Sequence, residues 1–375
     1  MRPASPAERE RLNATFATLC RIPSPTWQED VIAAHLRAEL EGMGLAVEVD
    51  DFGNLLARIP GRRDEWVMLC AHMDTVALTA EVEPVVVDGG WENANDGILG
   101  ADNKAAVAVL LEVARRVSVE GAPVGIEFLL TRAEEVGLRG AAAFDRSRSN
   151  AAFAFVFDHA TPIGEVIVAS PTLYDVRAEF RGRASHAGLC PEAGRNAIVA
   201  AAAAIAALPN GRLDEDTTAN VGGIHGGSGS TNVVAERCTV AIETRSIRPA
   251  RVEEVVAQIV DALHDGANAH DCDVDIACEK HFDGYRHKSG SPALAAAEAA
   301  LRACGHEPRR VQSGGGSDAN AFEVAGLHCV NVANGTEHAH EPTERVTVAA
   351  LEDMLDVTLA LVTESAARID GGAAQ

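Results

Sequence analysis

Apolar residues recur with a helical period from Pro6 to Gly44, interrupted by Pro23 and Pro25, and then give way to short β-like runs. LAVEV (45–49), NLLARI (54–59) and WVMLCA (66–71) precede a strongly helical stretch, Asn103 to Val117, that is apolar on most faces. GIEFLLT (125–131) and FAFVF (153–157) follow, separated by a helical stretch around Arg139 to Asp145. Fully apolar strands alternating with helices predict an α/β sheet covered on both faces.

The rhythm changes near Ser170. LYDVRAEFRG alternates apolar and polar residues, as a half-buried antiparallel strand does. An Ala-rich helix (194–208), the strands TTANVGGI and TNVVAERCTVAIETRS, a helix (251–264) and the strand CDVDIACEKHF follow. That β-α-β-β-α-β order is the ferredoxin-like split βαβ motif. After about Arg286 the helix–strand alternation resumes with SPALAAAEAALRAC, GLHCVNVA and a last helix from Val348 to Ala367. The pattern predicts a discontinuous α/β domain over 1–170 and 286–375, interrupted by a small α+β domain over 171–285. There is no internal repeat, and the terminal GGAAQ is the one low-complexity tail.

Composition sharpens this picture. At 47 % hydrophobic and 4 % aromatic, the 375-residue chain can build a large core, mainly from Ala, Val, Leu and Ile. Its 55 acidic and 32 basic residues give a net charge of −23, which argues against binding nucleic acid or an anionic membrane. MRPASPAERERLN lacks the apolar segment of a secretory leader. The longest apolar run, Ala197 to Leu208, is 12 residues, short of the roughly 20 needed to span a bilayer. Eight dispersed cysteines without a CxxC pair read as reduced thiols of a cytoplasmic protein.

Ligands of α/β sheets bind beyond the carboxyl ends of the strands, so the residues that follow each apolar strand are the place to look. WVMLCA is followed by His72 and Asp74, GIEFLLT by Glu134 and Glu135, FAFVF by Asp158, and GLHCVNVA by GTEHAH, which contains His338 and His340. Asp102 opens the strong helix after the glycine-flanked turn GILGAD. Two imidazoles and three carboxylates suit two divalent ions such as zinc. A carboxylate can bridge ions about 3.5–4 Å apart, and Asp102 is the natural bridge. Adjacent glutamates do not easily share one ion, so one of Glu134 and Glu135 can ligate while the other stays free as a general base. Singly, these residues have ordinary explanations: a helix N-cap for Asp102, a solvated pair for Glu134 and Glu135, a turn for Asp158, a core histidine for His72. Four strand ends and one helix start that all carry ligand types are hard to explain that way. Spacing alone does not choose between His338 and His340. QSGGGSDAN (312–320) fits GxGxxA, a weak dinucleotide signal outside a βαβ unit, and GGIHGGSGS reads as a flexible turn. Neither GxxxxGK[ST] nor GxSxG occurs, which removes P-loop and serine-hydrolase chemistry.

AHMDTV (71–76), GILGADNKAAVA (97–108), TRAEEVGLRGA (131–141), FDH (157–159) and SHAG (185–188) resemble the M20 family of co-catalytic metallopeptidases over essentially the whole chain. GADNKAAVA is most similar to its peptidase T (tripeptide aminopeptidase) branch. The resemblance implies a zinc-peptidase-like catalytic domain with an inserted lid and dimerisation domain. It implies His72 and Asp158 on one ion, Glu135 and His340 on the other, Asp102 as bridge, Glu134 as base, and Asp74 behind His72. His340 is preferred because Gly335, His340 and Glu344 keep the family's G-x4-H-x3-E spacing. His186 of SHAG is implied to steady the oxyanion, often from the partner subunit. Asn232 of TNVVAE and Arg245 of IETRS resemble positions that hold a substrate carboxylate, and the glycine turn with Gly315 and Ser317 lines the substrate cleft. The implied cofactors are two divalent ions, Zn2+ or else Co2+ or Mn2+. The implied assembly is a homodimer through the lid, and the implied activity is hydrolysis of short, tripeptide-like substrates. Carboxypeptidases, dipeptidases and N-acyl amino acid amidohydrolases of the same family are the alternative activities. A non-catalytic metal-dependent binding protein would show a lost ligand or base, and none is missing.

Overall fold

The computed structural model describes residues 1–369, and the terminal GGAAQ lies outside them. The chain forms two compact units, one of residues 1–169, 287–313 and from 317 onward, the other of residues 170–286 and 314–316.

The first unit is built on a mixed sheet. Its strands lie in the order Val47–Val49, Leu55–Ile59, Gly125–Thr131, Trp66–His72, Ala151–His159, Cys329–Ala333 and Glu165–Ser170, with Arg309–Gln312 beside the last. Trp66–His72 runs parallel to both Gly125–Thr131 and Ala151–His159, and Cys329–Ala333 is parallel to Ala151–His159. Leu55–Ile59 joins antiparallel. Gly125–Thr131 is buried at every position, as its unbroken apolar run requires. Helices Ala101–Glu120, Pro292–Ala303 and Val348–Ala366 contribute Leu110, Val113, Leu301, Leu355 and Leu359 to the same core as Phe128 and Phe155. Four parallel strands therefore end on one edge, and that edge carries the chemistry.

The helix expected from Asn103 begins two residues earlier, but Asp102 (φ −82°, ψ 103°) and Asn103 (φ −121°, ψ 27°) depart from helical geometry. Regular helix starts at Lys104, and Gly100, at φ +75°, supplies the left-handed turn before it. Asp102 is thus free of N-cap duty. Four short strands (Pro84–Val87, Gly90–Asn93, Thr336–Glu337, Arg345–Thr347) form a separate antiparallel sheet that periodicity did not predict, being too short to carry a pattern.

The second unit is an antiparallel sheet ordered Gly211–Asp214, Thr217–Gly226, Arg237–Ser246, Thr172–Arg181, Asp273–Phe282. Apart from the short first strand, this is the ferredoxin-like arrangement. Helices Ala197–Ala207 and Pro249–Asn268 share one core with Val176, Ala178, Phe180, Val240 and Ile242 on one sheet face. The two helices approach closely at Gly266, where a Cβ would lie 2.6 Å from that of Ala204. Residues 231–236, expected to extend the strand, leave the sheet. Their backbone turns instead to the SHAG segment, where Ala187 N–H donates to Asn232 O and Val234 N–H to Ser185 O, both at 2.9 Å. Among the described residues, no helix is long and apolar enough to cross a membrane.

Candidate metal centre

His72 ends its strand, and its Nε2 lies 3.4 Å from both Asp102 Oδ1 and Asp158 Oδ1. His340 Nε2 lies 3.1 Å from Glu135 Oε1 and 3.5 Å from Asp102 Oδ2. The two oxygens of Asp102 thus face two separate histidine–carboxylate pairs. Among the described residues, three groups each have potential ligand atoms within 4.8 Å of one another: His72, Asp102 and Asp158; Asp102, Glu135 and His340; and His72, Glu134 and Glu135. His338 is in none of these groups, and its Nδ1 lies 3.8 Å from Glu341.

Asp74 is buried behind this edge. Its backbone carbonyl lies 3.0 Å from His72 Nδ1, and its Oδ1 is farther at 3.4 Å. The Nδ1 proton is donated to that carbonyl. Burial opposes a charge on the ring, yet Asp158, Asp102 and Asp74 hold His72 well above the usual imidazole range, so in the metal-free chain Nε2 also carries a proton toward Asp102 and Asp158. The Asp74 carboxylate instead accepts the backbone N–H of Glu134 (3.0 Å) and Glu135 (3.2 Å) and the Thr26 hydroxyl (2.9 Å). Ala133, just before the glutamates, has φ +52°, and His340 has φ +70°. Such backbone costs about 1–3 kcal/mol per non-glycine residue and persists where surrounding bonds over-determine it. Glu29 Oε1 accepts the Ala133 N–H at 3.1 Å, and Glu29 is itself paired with Arg132.

The turn that carries Asp102 is clasped from a distant segment. Glu344 accepts the N–H of Gly100 at 2.7 Å through one oxygen and that of Asp102 at 2.9 Å through the other. Burial pushes its carboxyl up to about 7. Lys104 is also fully buried, and its Nζ donates to the carbonyl of Ile22 at 2.8 Å.

This concentration of acids shifts the proton equilibria of several groups at the centre. Hydrogen bonds to Asp102 and Glu135 push His340 up to about 10. Burial, with Asp102 and Asp318 beside it, pushes Asp158 up to about 8. Burial and the neighbouring Asp158 hold Glu134 well above the usual carboxylate range. Burial opposes ionisation of Asp102 as well, yet the His340 and His72 rings beside it hold its carboxyl below the usual range. Asp102 Oδ1 is buried without a hydrogen-bond partner, an arrangement that a bound cation satisfies. The donor set of two imidazoles and carboxylates fits divalent ions.

His186, Asn232 and Arg245 belong to the second unit. His186 Nδ1 accepts the N–H of Gly188 (3.1 Å) and Leu189 (3.2 Å), which places the ring proton on Nε2. Asn232 lies on the segment bonded to Ala187. The Arg245 guanidinium is already engaged, twice by Glu243 at 2.8 Å and once by the carbonyl of Gly314 at 3.3 Å. The Gly315 carbonyl accepts from Ser170 Oγ at 2.9 Å. Ser317 is only 2 % exposed and opens the helix Asp318–Val324, so its place is a helix start and not an open cleft wall. The structure adds Thr26, Glu29, Glu344 and Asp318 to the surroundings of the centre. Of these, only Glu344 carried a signal, as the last residue of the G-x4-H-x3-E spacing.

Known proteins share this construction. Residues 169–271 match the M20 peptidase dimerisation domain, and residues 54–188 match peptidase family M28. The uncharacterized protein YqjE of Bacillus subtilis is 34 % identical over 367 residues, covering 95 % of this chain and 99 % of the relative. The crystal structure of aminopeptidase PepT from Bacillus cereus superposes with a TM-score of 0.86 at 35 % identity, over 96 % of this chain and 99 % of that one. A tripeptidase from Staphylococcus aureus superposes with a TM-score of 0.91 at 30 % identity over the same shares. With the fold and near full-length identity in agreement, the chain belongs to the M20 family of metallopeptidases, hydrolases of peptide bonds, and is of the peptidase T type.

Proposed function

We propose that this chain is a two-ion aminopeptidase acting on tripeptide-like substrates, with zinc as the metal. One observation carries the reading: the two oxygens of Asp102 face two separate histidine–carboxylate pairs. His72 and Asp158 would hold one ion, Glu135 and His340 the other, and Asp102 would bridge them. When bound, the ions supply Lewis-acid polarisation of the scissile carbonyl and acidify water. Glu134, held by its backbone to Asp74 and left free of the two ligand groups that share Asp102, takes the proton of the attacking water. It then delivers that proton to the leaving amine nitrogen. His186 donates its Nε2–H to the developing oxyanion. Asn232 and Arg245 hold the substrate carboxylate, which for Arg245 means exchanging the Glu243 carboxylate for that of the peptide.

In this reading the first unit is catalytic and the second is a lid that also joins two copies, as the dimerisation-domain match supports. Eight free cysteines support a reducing, cytoplasmic setting. The test is a substrate panel run beside metal analysis. Tripeptides with a free amino terminus should be cleaved and their N-blocked forms should not, with two ions bound per chain. Faster turnover of N-acyl amino acids would make the protein an amidohydrolase on the same scaffold.

A further inference from the structure

We infer that Asp318 is a positioning residue of the centre, tying together the ends of the two strands that present His72 and the Glu134–Glu135 pair. Asp318 is the first residue of the helix Asp318–Val324 and is 1 % exposed. Its Oδ2 accepts the hydroxyl of Thr131 and, at 3.8 Å, the thiol of Cys70. Thr131 is the register partner of His72 across the parallel pair, and Cys70 lies on the strand that ends at His72. One carboxylate oxygen therefore touches the last residue of one strand, Thr131, and Cys70, two residues before the end of the other. Met73 N–H donates to the Thr131 carbonyl at 2.8 Å and continues the tie past the strand ends.

The second oxygen explains why the residue is an acid. Asp318 Oδ1 is buried and has no hydrogen-bond partner. A buried, unpaired carboxylate oxygen is destabilising, and an uncharged amide of the same shape costs less to bury than the ionised acid, though it too lacks a partner there. The charge gains a purpose only beside cations, which draw on negative charge outside their own ligand set. This step rests on the two-ion reading above. In the metal-free protein Asp318 is a liability, and in the loaded protein it strengthens ion binding while its Thr131 bond holds the strand ends in place.

The experiment uses the full chain with three variants, Asp318→Asn, Thr131→Val and Thr131→Ser, each titrated with Zn2+ in the metal-free form. Asp318→Asn keeps an oxygen for the Thr131 hydroxyl but loses the charge. It should melt about 2–4 °C higher without metal. It should still take up two ions, with a dissociation constant about 10-fold weaker. Thr131→Val should lower kcat with KM little changed, and Thr131→Ser should restore it. The inference is overturned if Asp318→Asn matches the parent in metal-free melting and in ion affinity, or if Thr131→Val is as active as the parent. Loss of one ion from Asp318→Asn also overturns it, because Asp318 would then be a ligand. Should the parent itself fail to bind two ions, the two-ion reading fails, while the metal-free melting and the Thr131 pair still decide the role of Asp318.

Discussion

The backbone amide of Glu134 donates to the carboxylate of Asp74 at 3.0 Å, and that of Glu135 donates to the other oxygen of the same carboxylate at 3.2 Å. Asp74 thereby fixes the direction in which two adjacent glutamates leave the sheet. Asp74→Asn has only one acceptor oxygen for the two amides. We expect two ions still to bind and kcat to fall about 10–100-fold, the range for residues that orient ligands from behind. Metal analysis beside steady-state kinetics checks this, and loss of an ion would mean that Asp74 acts chiefly through His72.

Glu134→Gln keeps the shape and the amide bond to Asp74 but cannot accept a proton. Turnover should drop about 10²–10⁴-fold, the usual weight of a general base, with full metal occupancy. An active Glu134→Gln protein would move the base elsewhere.

His186→Ala removes a donor whose tautomer is set by two amides of its own loop. A fall of about 10²–10³-fold in kcat at unchanged metal content is expected for a lost oxyanion donor. If metal is lost instead, His186 is a ligand.

Metal uptake should release protons. His340 is raised to about 10 and Asp158 to about 8 in the metal-free chain, so both carry protons near neutrality that an ion must displace. The sign follows from these directions: affinity falls as pH drops below about 8 and recovers as pH rises through the values of these groups. Calorimetry in buffers of different ionisation enthalpy counts the released protons, and a pH-independent binding constant would contradict the prediction.

Much of the centre was legible because ligand-type side chains follow apolar strands directly. His72 and Asp158 needed only the rule that ligands gather beyond strand ends, whereas choosing His340 over His338 also took the G-x4-H-x3-E resemblance. Asp74 shows the limit of that reading. It was expected behind His72, and its carbonyl is there, but its carboxylate serves the glutamate amides, which depends on the left-handed turn at Ala133. An alanine gives no local sign of φ +52°. TNVVAE continues directly into the strand residues that follow it, yet residues 231–236 bond to the SHAG segment, because a β-like run does not report the partner that its backbone pairs with. Asp318 lay inside QSGGGSDAN, but nothing in that motif pointed to Thr131, because the bond joins residues 187 positions apart.

The clasp of Glu344 on Gly100 and Asp102 has a consequence for the order of assembly. A chain emerging from synthesis has His72, Asp102, Glu134, Glu135 and Asp158 in hand long before His340 and Glu344 exist. Until then the Asp102 turn lacks the carboxylate that holds its two amides, and the second ligand pair lacks its histidine. On the two-ion reading, tight loading with both ions would be a property of the finished chain, and a chain interrupted before His340 would be left with one histidine–carboxylate pair around an unclasped turn.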